Sequence, residues 1–125
     1  MKIINSKHIA PPGGHYAHAV RAGGLLYISG QLPISPQGEK LHHAPFEAQA
    51  AQALANIDAI LQDAGLDRTA LAQVRVYVVG IGHWPAFNTL YAQWVGVHRP
   101  ARAVVPVPEL HYGCLVEIEA VAVMP

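Results

Sequence analysis

Residues 46–65, FEAQAAQALANIDAILQDAG, change the period of the chain and decide how it must fold. Ala50, Leu54, Ile57, Leu61 and Ala64 recur at helical spacing, so one stripe is apolar. Gln49, Gln52, Asp58, Gln62 and Asp63 take other faces. Gly65 stands where a helix can end in a left-handed residue, and the spacing predicts a helix from Phe46 to Ala64. The flanking segments have the shorter period of strands. Downstream, Val74-Arg75-Val76-Tyr77-Val78-Val79 is β-branched and aromatic, as strands favour, and is stopped by Gly80 and Gly82. Upstream, Leu25-Leu26-Tyr27-Ile28-Ser29 reads as a strand ended by Gly30. It returns from a short strand around Ala17–Ala22 through a Gly23-Gly24 hairpin turn.

Working outward, Ala10-Pro11-Pro12-Gly13-Gly14 is a loop, since two prolines and two glycines defeat both regular structures, and Ser35-Pro36-Gln37-Gly38 is a turn. A second helix is predicted from Pro85 to about Val97, with proline in its first turn. Its apolar stripe is Phe87, Leu90, Tyr91 and Trp94, and Pro100 closes it. Such a stripe is core packing rather than a cofactor site. Ala103–Val107 and Leu115–Val123 supply two closing strands. The order strand, strand, helix, strand, helix, strand, strand implies an α+β sheet with both helices on one face. No third layer is encoded for the other face, and oligomerisation would cover it.

Composition points the same way. Of 125 residues, 52% are hydrophobic and only 13% charged, against about 25% charged in an average domain. A chain of this size fits one domain, residues 1–125, and buries only about two-thirds of its unfolded surface. The apolar surplus therefore predicts subunit interfaces. Eight basic and eight acidic residues give zero formal charge. Lys2, Lys7, Arg21, Lys40, Arg68, Arg75, Arg99 and Arg102 are scattered, with no basic stripe for a nucleic-acid backbone. Cys114 is the only cysteine, which rules out an intrachain disulfide. The start, Met1 to Lys7, lacks the apolar core of a signal peptide, and no apolar run is long enough to span a membrane. The expectation is a soluble cytoplasmic protein.

Arg102 is the residue most in need of explanation. It sits in Pro100-Ala101-Arg102-Ala103-Val104-Val105, an apolar strand that gains nothing in packing from a guanidinium. Desolvating that charge costs several kcal/mol or so unless a partner satisfies it. One reading is an ion pair with Glu117 or Glu119 on the neighbouring strand. The other is a fork held open for a ligand carboxylate, which arginine matches with two parallel hydrogen bonds. Glu117 and Glu119 lie two apart on a strand and so share a face. Adjacent acids raise at least one pKa, which suits acid–base work. His42-His43 and His15 with His18 complete no metal-ligand set, so no metal is expected. Phosphate-loop and nucleophile-elbow signatures are absent. Cys114 reads as a small buried hydrophobe, with no base beside it.

Four stretches taken together resemble the Rid/YjgF family of enamine/imine deaminases, also labelled endoribonuclease L-PSP. They are Gly14-His15-Tyr16, Ile28-Ser29-Gly30-Gln31-Leu32-Pro33, Ala53-Leu54-Ala55-Asn56-Ile57, and the closing pair. That pair is Pro100-Ala101-Arg102 with Val116-Glu117-Ile118-Glu119-Ala120-Val121-Ala122-Val123. The resemblance implies a chorismate-mutase-like fold: a mixed β-sheet with two helices on one face, assembled into a homotrimer around a central barrel. It implies clefts between subunits and hydrolysis of reactive 2-imino acids to 2-oxo acids and ammonia, without cofactor. By the same resemblance Arg102 binds the substrate carboxylate, Glu117 positions water, and Tyr16 lines the cleft. Ser29, Gly30 and Asn88 surround it, and a backbone carbonyl near Val104 helps to hold the water. The sequence departs from the common pattern in having Ala103 and Val104 after the arginine, usually Ser or Thr and then Cys, and His15 before the tyrosine, often Pro. The pocket near Ala103 and Val104 is expected to be more apolar for it. A regulatory trimer that only holds small carboxylates is the alternative reading. Ribonuclease activity fits less well, because the basic footprint is missing.

Overall fold

The computed structural model describes residues 1–125. The strands are β1 (Lys2–Ile4), β2 (Ala19–Ala22), β3 (Leu25–Gln31), β4 (Leu71–Val78), β5 (Ala101–Pro106) and β6 (Val116–Val123). The helices are α1 (Phe46–Asp63) and α2 (Trp84–Val95). All six strands join one mixed sheet in the order β1-β2-β3-β6-β4-β5. Only β4 and β5 run parallel, because α2 carries the chain between them. The α+β architecture read from the element order is therefore present, with both helices over one face.

Alternation along the strands decides what each face carries. In β6, Val116, Ile118, Ala120 and Ala122 are buried while Glu117, Glu119, Val121 and Val123 face the other way. Register carries this across the sheet. Ile28, Ala120, Val74 and Arg102 form one row on the helix side, and Tyr27, Val121, Gln73 and Ala101 form one row on the open side. Helix α1 lays Ala50, Ala53, Leu54, Ile57, Ile60 and Leu61 on the helix side, all fully or nearly fully buried. Phe87 and Tyr91 of α2 complete that core. The open side has no covering layer, and Tyr27, Val105 and Val123 are exposed on it.

Several sequence expectations need correction. β1 was not foreseen: three residues pair only with β2 and bury almost nothing, so they leave no periodic signal. Gly30 does not end its strand. β3 runs on to Gln31 through a register irregularity between Ile28 and Gln31. Helix α2 stops at Val95 because Gly96, at φ +69°, turns the chain before Pro100 is reached. Gln49 is not on a solvent face. It is wholly buried, donating to the Ala44 carbonyl at 3.0 Å and accepting from the Leu115 amide at 2.9 Å. An amide pays no desolvation penalty when its donors and acceptors are met. The Gly23-Gly24 turn is as read, both residues taking positive φ as a tight hairpin requires.

The helices are tied by a polar knot. Arg68 donates to both Asp58 carboxylate oxygens, at 2.8 and 2.7 Å, and to the Trp94 carbonyl. The Trp94 indole donates to the same Asp58 at 2.9 Å, and the guanidinium lies over its ring at 4.9 Å. One carboxylate of α1 thus fixes the end of α2. Asp58→Ala leaves both donors without their acceptor. It is expected to lower unfolding stability by about 2 kcal/mol, measured by chemical denaturation against wild type, with Asp58→Asn recovering part of the loss.

Candidate functional site

A cleft of about 730 Å³ lies at the end of β3 and β6. Its lining includes Tyr16, Ser29, Gly30, Lys40, His111, Tyr112, Glu117 and Glu119. The N-terminal loop that forms one wall is held by His18, which is 3% exposed. Its Nδ1 accepts from the Ser6 amide at 2.9 Å. The ring proton therefore sits on Nε2, which lies 3.0 Å from the Ala10 carbonyl and donates to it. Burial holds this imidazole below its ordinary pKa and so keeps it neutral and locked. Ser29 joins the same clamp: its amide donates to the His18 carbonyl at 2.9 Å and its hydroxyl to the Ala17 carbonyl at 2.7 Å. Its side chain therefore braces the wall and is not free to attack. Tyr16 stands half exposed at the rim, its hydroxyl accepting from the Gly13 amide at 3.2 Å.

Glu117 forms the floor. A Cβ at Gly30 would come within 2.7 Å of its Oε2, so the carboxylate occupies space that only glycine leaves open. Burial pushes the Glu117 carboxyl above its ordinary value; His111 pulls it back down and the neighbouring Glu119 raises it further. Glu119, on the same face as expected, is otherwise engaged. It accepts from the Tyr77 hydroxyl and pairs with Arg75 at 3.4 Å. The two acids are thus differentiated: one is bound into the sheet face, the other stands in the cleft with its pKa raised by burial.

Arg102 is elsewhere. It points to the helix side, while Glu117 points to the open side, and β4 runs between their strands. The ion pair with Glu117 or Glu119 is excluded, because β6 is not the neighbour of β5 and the side chains leave opposite faces. Instead, Arg102 donates to the Asn88 side-chain oxygen at 3.0 Å and lies over the Tyr91 ring at 4.9 Å. None of the three ion pairs in the chain includes it. Asn88, expected around the cleft with Tyr16, Ser29 and Gly30, stands instead beside Arg102, and Val104 shares that face two residues on, partly buried against the core. A neutral amide and an aromatic face hold the guanidinium in place without neutralising it, so its remaining donors are free for an anion.

The expected site residues therefore fall into two groups within one chain. Tyr16, Ser29, Gly30 and Glu117 share the cleft, and Arg102, Asn88 and Val104 lie together at the edge strand. Sequence reasoning missed Tyr91, whose stripe position signalled only core. It also missed Lys40, His111 and Tyr112, which lie in loops with no periodicity to mark them. No group of three His, Cys, Asp or Glu side chains is placed to hold a metal ion. No helix is long and apolar enough to cross a membrane. Cys114 is buried, and burial pushes its thiol up, away from the reactive thiolate.

Known proteins match this chain along nearly its whole length. Residues 7–124 match the family model described as endoribonuclease L-PSP. A RutC family protein of Aquifex aeolicus is 40% identical over 126 residues, covering 98% of this chain and 99% of its own. Among solved structures, the YjgF gene product of E. coli superposes with a TM-score of 0.92 at 32% identity, over the full length of both chains. E. coli TdcF with bound serine superposes with a TM-score of 0.93, also at 32% identity and full length. The two helices over one face of a mixed sheet and the extent of these matches establish that the chain belongs to the endoribonuclease L-PSP family, the Rid/YjgF proteins.

Proposed function

We propose that the protein is an enamine/imine deaminase that hydrolyses reactive 2-imino acids to 2-oxo acids and ammonia, in clefts between identical chains of a homotrimer. The observation that carries this reading is the separation of the two half-sites. Arg102 is held ready for an anion on one face, and Glu117 is held ready for a proton on the other, with a strand between them. Neither half can act on one small molecule alone. A second copy that brings its Arg102 to this chain's cleft makes a complete site, and packing open sheet faces together covers Tyr27, Val105 and Val123. TdcF, a relative of nearly identical fold, has been solved with serine bound. Serine carries the α-carboxylate that this arginine would grip.

The chemistry then needs little from the protein. Arg102 binds the carboxylate bidentately and orients the adjacent C=N bond. Water, held by Glu117 and by a backbone carbonyl of the unpaired edge of β5 near Val104, attacks the iminium carbon as Glu117 takes its proton. The resulting carbinolamine has one new C–O bond. The proton passes to nitrogen, the C–N bond breaks, and ammonia leaves as the C=O bond forms. In sum, R–C(=NH₂⁺)–COO⁻ and water give R–CO–COO⁻ and NH₄⁺. The iminium is already electrophilic, so orientation and proton transfer suffice. A nucleic-acid substrate is a poorer fit, since the chain has zero formal charge and no basic stripe.

Four outcomes are expected when imines are generated in situ by an amino-acid oxidase and their loss is followed by semicarbazide trapping. Arg102→Ala should raise KM and reduce kcat/KM by about 100-fold, as expected when a buried charge partner is removed; equal rates for wild type, variant and buffer would sink the enzyme reading. Gly30→Ala should remain folded, because only the end of the Glu117 side chain has to move. It should lose about tenfold or more in kcat through displacement of the base. Glu117 works ionised and its pKa is raised, so kcat/KM should fall with decreasing pH along a limb above the ordinary 4.5. Glu119→Gln removes a like charge and should move that limb to lower pH.

A further inference from the structure

The cleft holds a feature that the deaminase reading does not use. Three basic side chains line it: His18, Lys40 and His111. His18 has both ring nitrogens engaged with backbone groups. Lys40 does not enter any of the chain's three ion pairs, which join His8 to Asp63, Arg68 to Asp58 and Arg75 to Glu119. Its ammonium lies instead 4.7 Å from the centre of the Tyr112 ring. The His111 ring is 6.1 Å from that of Tyr112, on the same wall, and close enough to Glu117 to lower its pKa. Lys40 is thus a cation of the cleft that pairs with no carboxylate.

Tyr112 is held in an unusual way. It is the one non-glycine residue at positive φ, +63°, a conformation that costs on the order of 1 kcal/mol or more for a residue with a Cβ. The neighbouring Gly113 takes such a conformation as well, at φ +74°, without that cost. The strained backbone puts the aromatic ring at the cleft wall, its hydroxyl 4.0 Å from where a Cβ of Gly13 would lie and its face under Lys40. The ring thereby restrains a long, flexible ammonium that would otherwise sweep through solvent. Electrostatics sets what that ammonium can meet. A substrate with one carboxylate has that charge matched by Arg102. A second negative charge in the cleft would repel the ionised Glu117, unless a cation lies at the other end.

We propose that Lys40, held over the Tyr112 ring and flanked by His111, is a second anion subsite, so that the cleft selects 2-imino acids whose side chain ends in a carboxylate. This rests on the deaminase reading for the reaction, though not for the binding. The second carboxylate sits on the ammonium, and the imino carbon remains at Glu117.

The test measures binding and turnover separately. Calorimetry compares 2-oxoglutarate with 2-oxobutanoate, as product-like probes, on wild type, Lys40→Met, Lys40→Arg and Tyr112→Gly. Wild type is expected to bind the dicarboxylate about tenfold more tightly, the scale of one charge-assisted contact. Lys40→Met should bring the two within about twofold, and Lys40→Arg should keep the preference. Tyr112→Gly suits the backbone conformation, so it should melt no lower than wild type yet lose most of the preference. Equal affinity of wild type for the two acids, including no binding of either, overturns the subsite, as does a preference that survives Lys40→Met. In the turnover arm, imines made from L-glutamate and L-alanine should show the same ratio in kcat/KM. Deaminase activity without dicarboxylate preference overturns the subsite alone. Preferential dicarboxylate binding through Lys40 without imine hydrolysis supports the subsite and overturns the deaminase.

Discussion

A pleated strand sends successive side chains to opposite faces, and in this molecule one face is sealed by two helices. The placement of the charged residues follows from how they fall on that alternation. Glu117 and Glu119 occupy the positions between Val116, Ile118 and Ala120, so burying the apolar set drives both acids to the open face. Arg102 pairs in register with the buried Val74 and so goes to the helix face. A shift of one residue in either strand would reverse these placements and expose the core. The core fixes the register, and the register places the charges.

The same constraint explains why the arginine is stable where it is. A guanidinium on the helix face of an edge strand could not be left bare. It finds an amide oxygen from Asn88 and the ring of Tyr91, both on α2. Tyr91 stacks in turn near Phe87 and Trp94, and Trp94 is anchored through Asp58 and Arg68. The orientation of the Arg102 side chain therefore depends on helix packing reaching back to α1. Glu117 is held in the opposite manner, by the absence of an atom: Gly30 leaves room for its carboxylate. A backbone gap sets one charge and an aromatic platform the other.

Much of this was legible in the sequence because it is local. The period of 3.6 residues marks α1, β-branched runs mark β4 and β6, and Gly23-Gly24 marks its turn. That Glu117 and Glu119 share a face follows from their spacing alone. What the sequence does not reveal is whatever depends on partners far along the chain. Whether Arg102 meets Glu117 turns on strand order, since β4 enters the sheet between them. Gln49 looks solvent-facing until its partners at Ala44 and Leu115 are known. Lys40 and Tyr112 are 72 positions apart by their numbers and meet only because two loops close on one cleft. β1 is recognisable only through β2. The family resemblance supplied roles for Arg102 and Glu117 that spacing could not.

The open sheet face bears on function as well as on solubility. It carries Tyr27, Val121, Val123, Ala101, Ala103 and Val105 beside Glu117, Glu119, Arg75 and Tyr77. A face meant for water would not place so much apolar surface around two acids, and a face meant only for packing would not place the acids there. Both features make sense together if covering the apolar part and enclosing the acidic part are one event. Association would then remove water from Glu117 and bring it the arginine it lacks. On the proposed reading, assembly and chemistry would then be one requirement placed on a single face, which neither the composition nor the cleft imposes alone.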